Sequence, residues 1–198
     1  MKFQHKSDVC LSLWADAYET GALQFPPNAT VLEIGCAEAD WQTPMLALRP
    51  DLQITGIDWR ACKRPGVTIQ GDVLAQTFPP ASFDVVVGIS SIEHIGLGHY
   101  EADPHYLDGD VWTMVRVAEW LKPGGWAYLD VPFNAQGYHV EGTSHRSYNW
   151  PWLLDRLVRA GLTLERHWFY TNSGQQVDAL PPRDLPGYDY VALLLRKA

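Results

Sequence analysis

Five short segments, 30–35, 53–58, 67–71, 83–89 and 126–131, read as largely apolar runs without a strict polar alternation. Strands buried on both faces of a parallel sheet have this character. Helix-like segments lie between them. Segment 40–48 is stopped by Pro50, 110–121 by Lys122-Pro123-Gly124-Gly125, and 149–160 by Gly161. Proline cannot continue a helix, and glycine takes the left-handed conformation that ends one. Segment 7–18 is a further expected helix, and 163–170 and 188–196 are two late strands. The alternation predicts a doubly wound α/β fold: a mostly parallel, seven-stranded sheet with helices on both faces. Three connections, 96–109, 134–148 and 171–187, are long enough to act as lids over a site.

Length and charge narrow the possibilities. The 198 residues suit one domain, with 46% hydrophobic and 19% charged residues as in soluble globular proteins. The formal charge is −8, and no run of Lys or Arg occurs. Nucleic acid is therefore a disfavoured partner, because phosphates need clustered cations. The N-terminus has no signal-peptide pattern and no run is long enough to span a membrane, so a cytoplasmic location is expected. Cys10, Cys36 and Cys62 are odd in number and lack CxxC spacing, which fits free thiols and gives no metal framework. Some of the nine tryptophans are expected in the core and some in an aromatic pocket.

Gly35, Asp58, Asp72 and Ser90-Ser91 all fall at the ends of expected strands. In open α/β sheets ligands bind beyond those ends. The first turn, Gly35-Cys36-Ala37-Glu38-Ala39-Asp40, fits a dinucleotide poorly. Its second and third fingerprint glycines are Ala37 and Asp40, and the third is needed for close helix–strand packing. Glu33, Glu38 and Asp40 would repel a pyrophosphate, which makes a nicotinamide oxidoreductase the least favoured reading. A cationic ligand suits the turn better.

Glu33-Ile34-Gly35-Cys36-Ala37-Glu38-Ala39 resembles the first motif of class I S-adenosylmethionine-dependent methyltransferases, an acid followed by glycines at alternate positions. Gly56-Ile57-Asp58, Gln70-Gly71-Asp72-Val73, Phe83-Asp84-Val85-Val86-Val87, Ser90-Ser91-Ile92-Glu93-His94 and Leu121-Lys122-Pro123-Gly124-Gly125 follow in the family's order. The resemblance covers roughly 30–132 and implies a Rossmann-like fold with S-adenosylmethionine as cofactor. It divides the single domain, 1–198, into an N-terminal helical segment (1–29), a cofactor-binding half (30–132) and a substrate-side half (133–198). By the same resemblance Asp58 holds the ribose hydroxyls and Asp72 the adenine amino group. Glu33, Gly35, Cys36, Ala37, Trp59, Val73 and Ser90 complete the expected cofactor site. Ala37 and Ala39 depart from the motif, each adding a methyl where the family has glycine.

Methyl transfer needs positioning and, for a hydroxyl or amine acceptor, often a base. Residues 93–110 hold three histidines and five acids, just after the fourth strand. His94 is the first candidate base and His145 the second; histidine titrates near neutral pH. Glu93, His99, Arg146 and Tyr148 are candidate acceptor-binding residues, with Arg146 able to grip a carboxylate or phosphate. The competing reading has His145, Arg146 and Tyr148 pinning the second loop onto the sheet and capping the helix near Asn149. Asp110 is expected to cap the helix that follows it. Some methyltransferases carry a metal-binding Glu-x-x-Glu-His motif here; Ser90 replaces its first acid, so no metal is expected. The run Ser91-Ile92-Glu93-His94-Ile95-Gly96-Leu97-Gly98-His99-Tyr100 resembles one small branch of these enzymes. The expectation is an enzyme that O-methylates a small polar molecule or a glycan-type hydroxyl. The rivals are a non-catalytic cofactor-binding regulatory partner, which Ala37 and Ala39 would permit, and a nucleic-acid methyltransferase.

Overall fold

The computed structural model describes residues 18–37, 40–100, 104–171, 176–177 and 190–197. Strands β1 (Thr30–Ile34), β2 (Gln53–Asp58), β3 (Val67–Gln70), β4 (Phe83–Ile89) and β5 (Leu121–Pro132) form the parallel part of one sheet. β8 (Leu162–Tyr170), β9 (Gln176–Val177) and β10 (Tyr190–Lys197) complete it, in the order β3-β2-β1-β4-β5-β10-β8-β9. β10 runs antiparallel to both β5 and β8. Seven of these strands match the expected set; the eighth, two-residue β9 carries no sequence signal strong enough to find.

Alternation along the strands sorts the core into two layers. Leu32, Ile34, Val86, Leu129 and Val131 pack with Met114 and Val117 of one helix (Gly109–Trp120) and with Leu153 and Leu157 of another (Trp150–Ala160). Val31, Val85, Val87 and Tyr128 pack instead with Leu23, Phe25 and with Trp41 and Met45 around the helix Gln42–Leu48. Helices thus cover both faces, as a sheet buried on both sides requires. The expected helix 7–18 lies almost wholly outside the described residues.

The Trp150–Ala160 helix begins and ends as its sequence predicts. Asn149 Oδ1 accepts the Trp152 N–H at 3.1 Å, and Gly161 closes the last turn at φ +82°. The Gly109–Trp120 helix differs from expectation. Asp108 is its N-cap, and Asp110 is buried in the first turn, where its carboxylate accepts the Tyr148 hydroxyl at 3.0 Å. A tertiary partner thus takes the carboxylate expected to cap. Residues 122–125, expected as a turn, lie within β5 as an insertion, since Leu121 pairs with Phe83 and Trp126 with Val85. Gly124 takes φ +74° there, and Lys122 Nζ meets Asp84 Oδ2 at 2.8 Å. The loop after β5 contains an unforeseen hairpin, β6 (His139–Glu141) with β7 (His145–Ser147). Among the described residues no helix is long and apolar enough to cross a membrane.

Candidate active site

Strand order reverses at β1, so the chain leaves the carboxyl ends of the paired strands β1 and β4 toward opposite sides of the sheet. The cleft they leave encloses about 630 Å³, mouth included. Gly35, Asp58, Trp59, Asp72, Val73, Ser90 and His94 are on its lining. Gly35 has φ +85°, and a Cβ there would lie 2.0 Å from Ser91 Oγ. Both the conformation and the space demand glycine. The Gly35 and Cys36 amides donate to the Ile57 carbonyl at 2.8 and 3.4 Å, and the Ala37 amide donates to Asp58 Oδ2 at 3.0 Å. Arg64 donates to the Cys36 carbonyl from Nε at 2.9 Å and to the Ala37 carbonyl from Nη2 at 3.2 Å. The turn is therefore fastened to the β2 side through its backbone. Ala37 is not among the described non-glycine residues with positive φ, so its methyl adds no backbone strain. Glu38 and Ala39 lie outside the described residues.

Two residues expected at the cofactor stand behind the turn instead. Glu33 is buried on the far side of β1 from Ile34 and accepts the Gln42 side-chain amide. Its burial raises the carboxyl to about 7, against the opposing pull of Gln42 and Arg64. Cys36 is also buried, and burial beside Cys62 and Glu33 pushes its thiol upward. Neither side chain lines the cleft. Strand alternation accounts for Glu33, since its neighbour Ile34 takes the cleft side.

Asp58 is nearly buried but lines the cleft. Its Oδ1 accepts the Arg60 amide at 2.8 Å and Nε at 3.1 Å, while Oδ2 takes Nη2 at 3.3 Å. The same guanidinium lies 4.6 Å over the Tyr100 ring, so Arg60 joins the end of β2 to the loop after β4. Asp72 Oδ1 accepts the Leu74 amide at 2.8 Å and starts a short 3-10 turn, Val73–Ala75. Ser90 has φ +50°, and its hydroxyl donates to Glu93 Oε1 at 2.9 Å. Backbone held in that region by its surroundings is common at functional sites.

The loops after β4 and β5 meet over this cleft. His94 Nδ1 lies 2.5 Å from the Ser144 carbonyl oxygen, and Nε2 lies 3.7 Å from Glu93 Oε1. A carbonyl can only accept, so this contact calls for a proton on Nδ1. His99 stacks on His94 at 4.8 Å, and its Nδ1 pairs with the Thr143 carbonyl at 3.2 Å. His145 is 6.4 Å from His94, edge to face. Arg146 and Tyr148, expected against the substrate, are fully buried. Arg146 donates to the carbonyls of Glu93, Ile95, Tyr106 and Leu107 and faces Asp110 at 3.4 Å. Tyr148 donates to Asp110. Arg146 thus fastens the second loop to the first, and Tyr148 fastens it to the Gly109–Trp120 helix. The competing reading had them pin the loop to the sheet and cap the helix near Asn149, a cap that Asn149 itself supplies. Glu93 is buried as well, under Ser90. Among the described residues no three His, Cys, Asp or Glu side chains are grouped to hold a metal ion.

A family model described as a methyltransferase domain matches residues 3–173. The chain belongs to that methyltransferase family. Solved structures with the same fold include a methyltransferase from Methanosarcina mazei, with a TM-score of 0.62 and 13% identity over 91% of this chain and 96% of that one. Another is the 1,6-didemethyltoxoflavin-N1-methyltransferase of Burkholderia thailandensis, bound to its acceptor and S-adenosylhomocysteine. It has a TM-score of 0.62 and 17% identity over 97% of this chain and 88% of that one. The [4+2]-cyclase SpnF also shares the fold, at a TM-score of 0.62 and 16% identity over 94% and 80% of the two chains. No curated protein matches the sequence.

The cleft suits S-adenosylmethionine. Apolar walls from Ile34, Ile57, Val73 and Ile89 can cover an adenine, and two carboxylates stand at neighbouring strand ends. Sequence reading missed Arg60, Arg64 and Gln42. The only hint of the first two was a cluster of cations, Arg60, Lys63 and Arg64, just past Asp58. Nothing in the sequence marks the Ser144 carbonyl, because a backbone group has no side-chain signature.

Proposed function

We propose that this enzyme methylates a hydroxyl of a small polar or glycan-type acceptor, with His94 as general base. S-adenosylmethionine supplies an electrophilic methyl on its sulfonium. Gly35, Trp59, Val73 and Ser90 bound the cofactor, Asp58 takes the ribose hydroxyls and Asp72 faces the adenine, while Ala37, off the cleft lining, holds Asp58 through its amide. The observation that carries the base assignment is the His94–Ser144 contact at the cleft. In the neutral ring Nε2 is then the acceptor for the proton that a hydroxyl loses as its oxygen is methylated. Glu93, 3.7 Å from Nε2, then faces an imidazolium and stabilises it. His99 and His145 border the acceptor side, where they can donate to polar groups on the substrate. Arg146 and Tyr148 keep a structural part, because both are buried.

The test is a methyl-transfer screen of small metabolites and glycans with cofactor carrying an isotopic methyl label. The expected product bears the label on oxygen, and His94→Ala loses most of the turnover. A product labelled on nitrogen or carbon, or full turnover in His94→Ala, overturns the reading.

A further inference from the structure

Arg146 is fully buried, and a guanidinium has five N–H donors to place. Nη1 donates to the Glu93 and Ile95 carbonyls at 3.3 and 2.7 Å, the residues on either side of His94. Nη2 donates to the Tyr106 and Leu107 carbonyls at 3.2 and 3.1 Å. Two residues before Arg146, Ser144 offers the carbonyl that meets His94 Nδ1. One residue earlier, Thr143 does the same for His99. The strand carrying Arg146 is itself anchored, since Tyr148 N donates to the Pro132 carbonyl at 3.0 Å and Asn134 N to the Tyr148 carbonyl at 2.9 Å. The carbonyl that meets His94 Nδ1 and the guanidinium that grips the backbone around His94 are thus two residues apart, at the turn into β7 and on β7 itself.

We propose that Arg146 is a positioning residue for His94: by holding the carbonyls on both sides of it, Arg146 keeps Nδ1 on the Ser144 carbonyl and Nε2 free of a proton. The idea rests on His94 being the base. Lysine cannot substitute, because one ammonium cannot span two pairs of carbonyls that lie on opposite arms of the guanidinium fork. A hydrogen bond to one ring nitrogen sets which nitrogen carries the proton, so a loosened loop should change the tautomer itself. A residue that merely stabilised the fold would leave the tautomer alone.

Long-range proton–nitrogen correlation spectra of histidine-labelled enzyme read the tautomer without any substrate. The wild type should show His94 as one species with the proton on Nδ1. Arg146→Lys should convert it to a mixture in which the Nε2–H form appears. Tyr148→Phe, which disturbs the same buried cluster through Asp110 but touches no carbonyl beside His94, should keep the single species. Arg146→Gln serves where Arg146→Lys does not fold, since a single amide cannot reach both pairs of carbonyls, and it should shift the tautomer in the same direction. An unchanged Nδ1–H species in folded Arg146→Lys or Arg146→Gln, or a wild type already on Nε2–H, overturns the proposal. Full turnover in His94→Ala would instead fell the base assignment, so the two failures are separable.

Discussion

His94 Nδ1 and the Ser144 carbonyl oxygen stand 2.5 Å apart across fifty residues of sequence. This contact joins the loop after β4 to the hairpin after β5. His94→Ala is expected to lower kcat by about 10²–10⁴-fold, the usual worth of a positioned base. Affinity for S-adenosylhomocysteine should hardly change. A fall in affinity with kcat preserved would make His94 a wall of the cofactor cleft and no more. Single-turnover kinetics with an accepted substrate separates the two.

Gly35→Ala tests the turn. The added Cβ meets Ser91 Oγ at 2.0 Å, and φ is +85°. Strain of this kind costs about 1–3 kcal/mol. Chemical denaturation should show that loss, and adding Ser91→Gly should recover only part of it, because the clash goes and the φ penalty stays. Full recovery in the double variant would mean that the backbone conformation costs nothing.

Glu33 should make stability fall with pH. Its carboxyl is raised from 4.5 to about 7 in the folded chain, so the native state binds the proton more tightly than the unfolded one. Below 4.5 both states are protonated and no penalty exists. Between 4.5 and about 7 stability declines with rising pH by about 3 kcal/mol in all, then levels off. Urea melts of Glu33→Gln should lack this slope. Parallel slopes in wild type and variant would place the charged form comfortably in the interior.

The sheet was readable because most of its parallel strands are largely apolar and two of its helices stop close to Pro50 and at Gly161. Asp58, Asp72 and Gly35 were readable because strand ends in this fold face one crevice. Arg146 was not. A histidine–arginine pair in a loop looks like substrate recognition, and only the tertiary fold reveals four backbone carbonyls around that guanidinium. Glu33 was misjudged for a simpler reason, since it alternates with Ile34 and turns toward Gln42. The β6–β7 hairpin has three residues per strand, too few for a period to emerge.

Calorimetric titration of S-adenosylhomocysteine into wild type and Asp58→Ala bears most directly on the claim that the cleft between β1 and β4 holds the cofactor. Wild type should bind one equivalent. Asp58→Ala should bind roughly 5- to 150-fold more weakly, the effect of losing a charged hydrogen-bonding group worth about 1–3 kcal/mol. No binding by wild type at millimolar ligand, or equal affinity in the two proteins, would contradict that placement.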